Sequence, residues 1–228
     1  MKILAVDTST PGCGVAVLEN ETVRCELSTY LEETHSKRLM EMIRSVFSLS
    51  GLSVSDMDGF GVTEGPGSFT GLRIGISTVK GLAMASGKPA VGISTLDALA
   101  SQVSPSDFLI HPILNAGKNE IYFSRYRFLN GELVKEEEEQ VFSIEKAIQG
   151  IREPSYFLGE GVIRYQKKIR AILGESAHFA SPDQNQIRAS AVGFLALKAF
   201  DGALLKDPVG LAPRYIRQAD IRTGSRLF

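Results

Sequence analysis

The chain is poor in cysteine and has no long apolar run. Its two cysteines, Cys13 and Cys25, are too few for a disulfide scaffold, and two buried thiols in a reducing compartment are the expectation. No segment approaches the ~20 consecutive apolar residues of a membrane-spanning helix. The first residues reach an aspartate at position 7 too soon for a signal peptide. These features predict a cytoplasmic protein.

The chain also lacks an excess of either charge. Its 25 lysines and arginines face 26 aspartates and glutamates, a formal net charge of −1. A protein that binds nucleic acid unaided has a strongly basic balance, so this class is not expected here. The 228 residues are 43% hydrophobic, which is ordinary globular composition and enough for one large core or two small ones.

Apolar segments and turn residues alternate in a regular order along the chain. Short apolar runs between turns predict strands, and apolar residues spaced three and four apart predict helices. The first half is predicted as strand, strand, strand, helix, strand, helix, strand, helix, at residues 3–6, 14–18, 22–30, 34–49, 57–63, 68–85, 89–93 and 95–103. The same order recurs in the second half, at residues 108–114, 121–128, 132–135, 143–149, 155–158, 162–173, 177–179 and 187–200. The repeat lies in the order of elements, because no sequence identity between the halves is visible.

A linker at Ser104–Asp107 separates the two halves. We therefore expect subdomains at residues 1–104 and 105–228. In one alternative, the C-terminal tail packs back on the first subdomain. Three meandering strands joined to strand–helix units give a mixed five-stranded sheet with helices. The predicted fold class is α/β, with two tandem ribonuclease H-like subdomains, as in the actin, sugar kinase and Hsp70 superfamily.

Asp7 and Thr8 are the candidate cofactor-binding residues. They follow the first strand in a turn rich in serine, threonine and glycine, where that superfamily holds magnesium and phosphate. The alternative is that they only satisfy backbone groups of the turn. The second hairpin has Asn115 in place of a carboxylate, and the Gly159–Gly161 glycine pair is better explained as a turn. Nucleotide handling is therefore predicted to be degraded, with no cofactor.

The strongest local motif is Glu-Gly-Pro-Gly-Ser-Phe-Thr-Gly-Leu-Arg-Ile-Gly at residues 64–75. Its Gly-Pro-Gly makes a tight turn, and Ser68 is a good N-cap for the helix that follows. Together with the segments at residues 3–9, 91–100 and 212–217, it resembles the TsaB family, also called YeaZ, over the whole chain. One departure is that the family usually has Asp-Ala-Arg where this chain has Asn-Ala-Gly, from Asn115 onward.

The resemblance implies a non-catalytic partner subunit in bacterial threonylcarbamoyladenosine synthesis. Such a subunit binds and activates TsaD, its catalytic paralogue, which transfers the threonylcarbamoyl group to adenosine 37 of tRNA. The implied further partners are the ATPase subunit TsaE and the product of the carbamoyl-adenylate synthase. Transfer RNA is then bound only within the complex, and the isolated chain has the option of forming a homodimer.

The resemblance also bears on catalysis. TsaD binds its metal through two histidines four residues apart, and the matching positions here are Thr95 and Leu99. The three histidines of this chain, His35, His111 and His178, are scattered, and separate roles are favoured over a shared metal. No metal site and no activity of the isolated chain are predicted. The alternatives left open are an active metal- or ATP-dependent enzyme, as peptidase or phosphotransferase, and a homodimeric regulatory protein.

Two helices carry more apolar surface than one core requires. A helix on a single sheet needs one stripe about 100° wide, whereas the helices at 34–49 and 68–85 each show two adjoining seams. We predict that they dock on a partner, and in the family this pair mediates dimerisation with TsaD; the alternative is that they only cover each other. The predicted interface residues are Leu39, Met40, Ile43, Phe47, Phe69, Leu72 and Ile76. Ile43 and Phe47 are the expected anchors, and Ile43 should face solvent in the free monomer; the alternative is that Ile43 belongs to the internal core.

Two charged segments complete the sequence-based expectations. The run Glu136–Glu139 is predicted to be a solvated loop. The C-terminal tail carries four arginines against one aspartate, namely Arg214, Arg217, Arg222 and Arg226 against Asp220. That tail is a candidate for contacts with tRNA phosphates, and a disordered cationic tail is an equally good interpretation.

Overall fold

The computed structural model describes residues 1–30, 35–202 and 208–217, with the side chains of residues 35–37 left aside. The first sheet has the strand order β3-β2-β1-β4-β5. Its strands are β1 (Lys2–Asp7), β2 (Gly12–Glu19), β3 (Thr22–Tyr30), β4 (Gly59–Gly65) and β5 (Ala90–Ser94). The first three strands pair antiparallel, and β4 and β5 run parallel to β1.

The second sheet repeats this topology with the strand order β10-β9-β6-β7-β8. Its strands are β6 (Leu109–Gly117), β7 (Glu120–Leu129), β8 (Glu132–Ser143), β9 (Ser155–Leu158) and β10 (Ala177–Phe179). Again the first three strands pair antiparallel and the last two run parallel to the first. The predicted fold class is confirmed.

Six helices of the described residues fill the layers around the two sheets. They are α1 (His35–Ser50), α2 (Phe69–Ser86), α3 (Thr95–Ala100), α4 (Ile144–Ile148), α5 (Glu160–Leu173) and α6 (Ala189–Asp201). The first pair, α1 and α2, covers the outer face of the first sheet, α3 and α6 lie between the sheets, and α4 and α5 cover the second. Within the described ranges, no helix is both long enough and apolar enough to cross a membrane.

The central strand β1 shows why these layers form. Successive side chains of a strand point to opposite faces, and both faces of β1 are apolar. Ile3 and Ala5 pack into the cluster between the sheets, whereas Leu4 and Val6 pack under the outer helices. The strand is therefore buried on both sides, as its continuous apolar run indicates.

Helix α6 is assigned by sequence order to the second half, but its contacts are mainly with the first sheet. The glycines at its contacts allow this approach, because a Cβ at Gly61 would stand 2.8 Å from that of Ala196, and one at Gly193 would stand 2.3 Å from Leu18. The carboxylate of Glu26 on β3 accepts hydrogen bonds from the backbone N–H of Ser190 at 2.9 Å and from its hydroxyl at 3.0 Å. A carboxylate of the first sheet thus caps the N-terminus of α6, where the helix dipole favours negative charge.

The predicted loop at Glu136–Glu139 is wrong, because these residues lie within strand β8, paired to β7. Glu136 and Glu137 form ion pairs with Arg125 of the neighbouring strand, at 3.2 and 3.7 Å. The side chain of Glu139 is fully buried and accepts from the Ser94 hydroxyl. Arginines of the neighbouring strand therefore stabilise this run of glutamates within a strand. The run considered without its neighbours is typical of a solvated loop.

The two cysteines are free and are not neighbours. Cys13 is opposite Thr29, and Cys25 is opposite Val17. Four residues of strand separate the two positions, about 13 Å at 3.3 Å per residue. Burial, reinforced by the negative charge of Asp7, raises the pKa of the Cys13 thiol to about 12, so this thiol stays protonated and unreactive at neutral pH.

Candidate functional site

The corner after β1 is buried and its polar groups are occupied by the chain itself. One carboxylate oxygen of Asp7 accepts from the hydroxyls of Ser9 at 2.6 Å and Thr63 at 2.8 Å, and from the Ser9 backbone N–H at 3.1 Å. The Thr8 hydroxyl donates to the Gly71 carbonyl at 2.8 Å. Asp7 also lines a small cavity of about 10 Å³. The geometry therefore favours the alternative interpretation of Asp7 and Thr8, as residues that satisfy a turn.

The glycine motif before α2 serves this same corner. A Cβ at Gly67 would lie 2.2 Å from the Ser9 carbonyl oxygen, and one at Gly75 would lie 2.3 Å from the Thr8 hydroxyl. Ser68 caps α2 by accepting from the Gly71 N–H at 3.2 Å, and its own N–H donates to the Ser9 carbonyl at 2.7 Å. The Gly-Pro-Gly-Ser segment is thus a docking site for the β1 turn, and the N-cap role of Ser68 is confirmed.

The close packing of Gly75 against Thr8 makes the stability of the fold sensitive to substitution of this glycine. Gly75→Ala should destabilise the fold by about 1–3 kcal/mol, because the new methyl displaces Thr8 from its bond to the Gly71 carbonyl. Gly81→Ala in the same helix is the matched control, since nothing lies within 4 Å of a Cβ there. The control should gain about 0.5–1 kcal/mol from helix propensity. Urea unfolding of both variants checks this, and equal shifts would contradict the packing.

The polar groups of Asn115, in the second hairpin, are also engaged within the chain. The Asn115 side chain accepts from the Gly117 N–H at 3.0 Å, and its backbone N–H donates to Glu160 at 3.4 Å. Burial and the nearby charge of Asp7 raise the pKa of Glu160. Gly159 has φ +99°, and a Cβ there would stand 2.5 Å from the Ile113 carbonyl oxygen. The glycine pair is thus needed for a tight turn at the start of α5.

The two residues that the resemblance compares with a metal-binding histidine pair are both fully buried. Thr95 and Leu99 lie on α3, between the two sheets. Across the described ranges, no three His, Cys, Asp or Glu side chains form a group that could hold a metal ion. His111 is buried between two phenylalanine rings, and His178 is exposed and stacks on Phe108 at 4.5 Å. The side chain of His35 lies outside the described residues.

The predicted interface residues divide into two groups. Most are buried in the core of the monomer, and their set is Leu39, Ile43, Phe47, Leu72 and Ile76. The expectation that Ile43 faces solvent is therefore wrong and its assignment to the internal core is confirmed, because Ile43 and Phe47 of the second apolar seam of α1 are covered within the chain. Met40 and Phe69 are both exposed. Leu49 of α1 and Met84 of α2, which the sequence prediction missed, are exposed as well.

Residues 208–217, the C-terminal segment, run along α2 and cross to the second hairpin. Lys80 donates to the Val209 carbonyl at 2.7 Å, and the Arg214 N–H donates to the Glu64 carbonyl at 2.7 Å. At the far end Arg217 donates to the Ala116 carbonyl at 2.7 Å. The tail therefore packs back on the first subdomain and also connects it to the second.

The arginines of this segment already have partners within the chain. Arg214 lies 3.3 Å from the buried carboxylate of Glu139, and Arg217 lies 3.2 Å from Glu120. Tyr215 stacks on Phe69 at 4.9 Å, and Arg73 donates to its hydroxyl at 3.0 Å. These contacts weaken the expectation that the tail supplies phosphate contacts. Its other charged residues, Asp220, Arg222 and Arg226, lie outside the described residues.

The family model that matches the chain is described as TsaD, tRNA N6-adenosine threonylcarbamoyltransferase, and it covers residues 29–218. The tRNA threonylcarbamoyladenosine biosynthesis protein TsaB of Bacillus subtilis is 33% identical over 223 residues, which is 96% of each chain. The protein of the same name from Escherichia coli is 35% identical over 148 residues, which is 64% of each chain.

Two solved structures are also similar to this chain. YeaZ from Pseudomonas aeruginosa superposes with a TM-score of 0.78 and 26% identity, over 94% of this chain and 99% of that chain. Component A of (R)-2-hydroxyglutaryl-CoA dehydratase from Acidaminococcus fermentans has a TM-score of 0.52 at 11% identity over 90% of this chain and 99% of that chain, a likeness of fold alone.

The name shared by the bacterial relatives indicates that this chain has a role in tRNA threonylcarbamoyladenosine biosynthesis. The match to the transferase model fits a fold that the two groups share. By identity, coverage and structure, the chain belongs to the TsaB/YeaZ family.

Proposed function

We propose that this chain is a non-catalytic subunit that binds TsaD through the outer helices α1 and α2 and activates threonylcarbamoyl transfer to tRNA. The observation that carries the proposal is the exposed apolar surface of that helix pair. Met40, Leu49, Phe69 and Met84 are between 39% and 69% exposed. Exposed apolar side chains on the outer layer of the fold offer surface for a partner to cover, and methionine suits such contacts because its side chain adapts to the opposing surface.

The corner at Asp7 supports a non-catalytic role. One oxygen of its carboxylate already accepts three hydrogen bonds from the chain, which gives Asp7 a structural role in the turn. Thr95 and Leu99 offer no imidazole at the positions where the paralogue has its metal ligands. The catalytic step is accordingly assigned to the partner, with TsaE and the carbamoyl-adenylate as further participants and tRNA bound only by the complex.

A relative from Pseudomonas aeruginosa, with a TM-score of 0.82 and 26% identity over 95% of this chain and 99% of that chain, is described as similar to a peptidase. A peptidase is therefore the second candidate function. Ser68 is the serine in the glycine-rich turn, and its hydroxyl is engaged as the cap of α2. A serine nucleophile needs a hydrogen-bonded base, and no His or Asp is bonded to Ser68 within the part of the chain that the structure describes.

Charge substitutions on the exposed face test the proposal. Met40→Asp and Met84→Asp should each weaken binding to TsaD by roughly thirtyfold or more, the effect of about 2 kcal/mol at an interface hot spot. Leu129→Asp is the matched control, since Leu129 is 50% exposed on a hairpin of the second subdomain. Titration calorimetry measures binding, and tRNA modification in the reconstituted mixture measures activity.

The outcomes separate the candidates. Loss of binding and of modification by the α1 and α2 variants, with the control unchanged, supports the subunit role. Unchanged binding by both variants would remove the helix pair from the interface. Peptide cleavage by the isolated chain that is lost in Ser68→Ala would favour the peptidase.

A further inference from the structure

Charge is segregated across the second subdomain although the whole chain is nearly neutral. Strand β8, at one edge of the second sheet, carries five glutamates, which are Glu132, Glu136, Glu137, Glu138 and Glu139. Helix α5 packs on β6, β9 and β10, towards the other edge. This helix carries four cations against one carboxylate, the cations being Arg164, Lys167, Lys168 and Arg170.

The packing of α5 decides which of these cations face outward. Val162, Tyr165 and Ile169 are buried against the second sheet. Arg164, Lys167 and Arg170 are spaced three residues apart on the exposed side, over about 9 Å at 1.5 Å per residue. Lys168 lies to one side and is paired with Glu145 of α4.

Two contacts hold this row of cations in place. Arg164 donates to the side chain of Asn119 at 2.7 Å, which fixes it beside exposed Lys118 in the turn between β6 and β7. The guanidinium of Arg170 lies over the ring of Phe179, 5.2 Å from its centroid. No carboxylate of the described chain forms an ion pair with Arg164, Lys167 or Arg170. The positive field of these groups is therefore directed to solvent.

We propose that Lys118, Arg164, Lys167 and Arg170, the basic ridge, contact the phosphate backbone of the tRNA substrate when the chain is bound to TsaD. This inference rests on the proposed function, which brings tRNA to the complex. The three ridge cations on α5, Arg164, Lys167 and Arg170, form no ion pair within the described residues, and such a row suits a polyanion with regularly spaced charges. The net charge of −1 fits a contact that adds to tRNA binding by the complex and does not supply it alone.

A membrane surface is the other polyanion to consider, and the geometry is against it. A helix that binds a bilayer inserts a continuous apolar face, whereas the apolar face of α5 is buried in its own subdomain. The exposed apolar residues Ile163 and Ile172 are nine positions apart, about 13 Å along the helix. They form no stripe, and the RNA backbone remains the favoured ligand.

The test compares two triple variants of equal charge change in the complex with TsaD. The ridge variant, Arg164→Gln, Lys167→Gln and Arg170→Gln, removes three of the four ridge cations. The control variant, Lys2→Gln, Arg24→Gln and Lys88→Gln, removes three cations from the first subdomain. Binding of unmodified tRNA is measured by fluorescence anisotropy over a series of KCl concentrations. The ridge variant should bind at least about tenfold more weakly near 0.1 M salt, with a salt slope smaller by about 2–3, since each phosphate contact contributes about 0.7–0.9.

Each outcome has one interpretation. Gel filtration of the wild type with TsaD tests the proposed function separately, because failure to form the complex overturns that function and not the charge argument. A complex that forms but shows the same slope in both variants overturns the ridge. Binding of the wild type to phosphatidylserine vesicles, lost in the ridge variant while tRNA binding is unchanged, would reassign the surface to lipid. If the triple variant has a clearly lower melting temperature than the wild type, the single variant Lys167→Gln replaces it in the test. Its salt slope should be smaller than that of the wild type by about 1.

Discussion

Ile43→Asp should unfold the protein and not merely release a partner. Ile43 is 2% exposed and packs in the cluster between α1 and the first sheet. The substitution removes a buried aliphatic side chain, which costs about 2–5 kcal/mol, and places an unpaired carboxylate in an apolar site. The total approaches the whole stability of an ordinary domain, about 5–15 kcal/mol. Circular dichroism on heating should show a collapsed or absent transition.

Met40→Asp is the control for this result, because Met40 lies three residues away on the same helix and is 39% exposed. It should melt close to the wild type. An Ile43→Asp protein that melts normally and fails only to bind TsaD would contradict the packing of α1. It would restore the expectation, drawn from the sequence alone, that this side chain faces solvent in the monomer.

The second large effect is a dependence of stability on pH that comes from His111. Its ring is fully buried between Phe123 and Phe157, with centroids 5.2 and 5.0 Å away. Neither ring nitrogen makes a hydrogen bond of full geometry to the residues that the structure describes, although the Ser124 backbone is near enough to favour the charged ring. Burial, and then the positive charge of Arg125, lowers the pKa of His111 from 6.5 to about 3, against a smaller opposing contribution from the Ser124 backbone.

The unfolded state therefore binds the proton more readily than the folded state between pH 6.5 and 3. Stability is greatest above pH 6.5 and falls as the pH is lowered through this window, by about 2 kcal/mol between pH 7 and 5, at 1.36 kcal/mol per unit. His111→Phe should remove this dependence and should be at least as stable at pH 7, because two unpaired polar atoms leave the core.

Urea unfolding at pH 7 and pH 5 measures this difference in the wild type, in His111→Phe and in His178→Phe. His178 is exposed, so its variant should retain the slope of the wild type. A wild type whose stability is flat over this range would refute the assignment. So would a His111→Phe protein that keeps the full loss.

Much of the fold follows from local patterns in the sequence. The order of strands and helices, the turn before α2 and the Ser68 cap depend on residues close together in the chain, and periodicity reports them directly. Strand β8 was predicted four residues long and has twelve, because four consecutive glutamates show no alternation. Their pairing with Arg125 and the burial of Glu139 depend on residues distant in the sequence.

The candidate interface shows a different limit of sequence-based prediction. Apolar seams on α1 and α2 establish that these helices are covered, but not by what. Ile43 and Phe47 are covered by the chain's own sheet, whereas Met40 is left to solvent. The β1 corner is similar, since the composition at Asp7 fits both a phosphate site and a self-satisfied turn. Only the hydrogen bonds from Ser9 and Thr63 distinguish them.

The position of α6 has a consequence for the synthesis of this protein on the ribosome. The inner face of the first sheet, with Ile3, Ala5 and Leu18, is covered by a helix that begins at Ala189. At about 5–20 residues per second, the roughly one hundred residues between the end of β5 and α6 take about 5–20 s to translate. During that interval the emerging N-terminal half exposes an apolar sheet face to solvent. The first subdomain is therefore expected to complete its native core only after translation of α6.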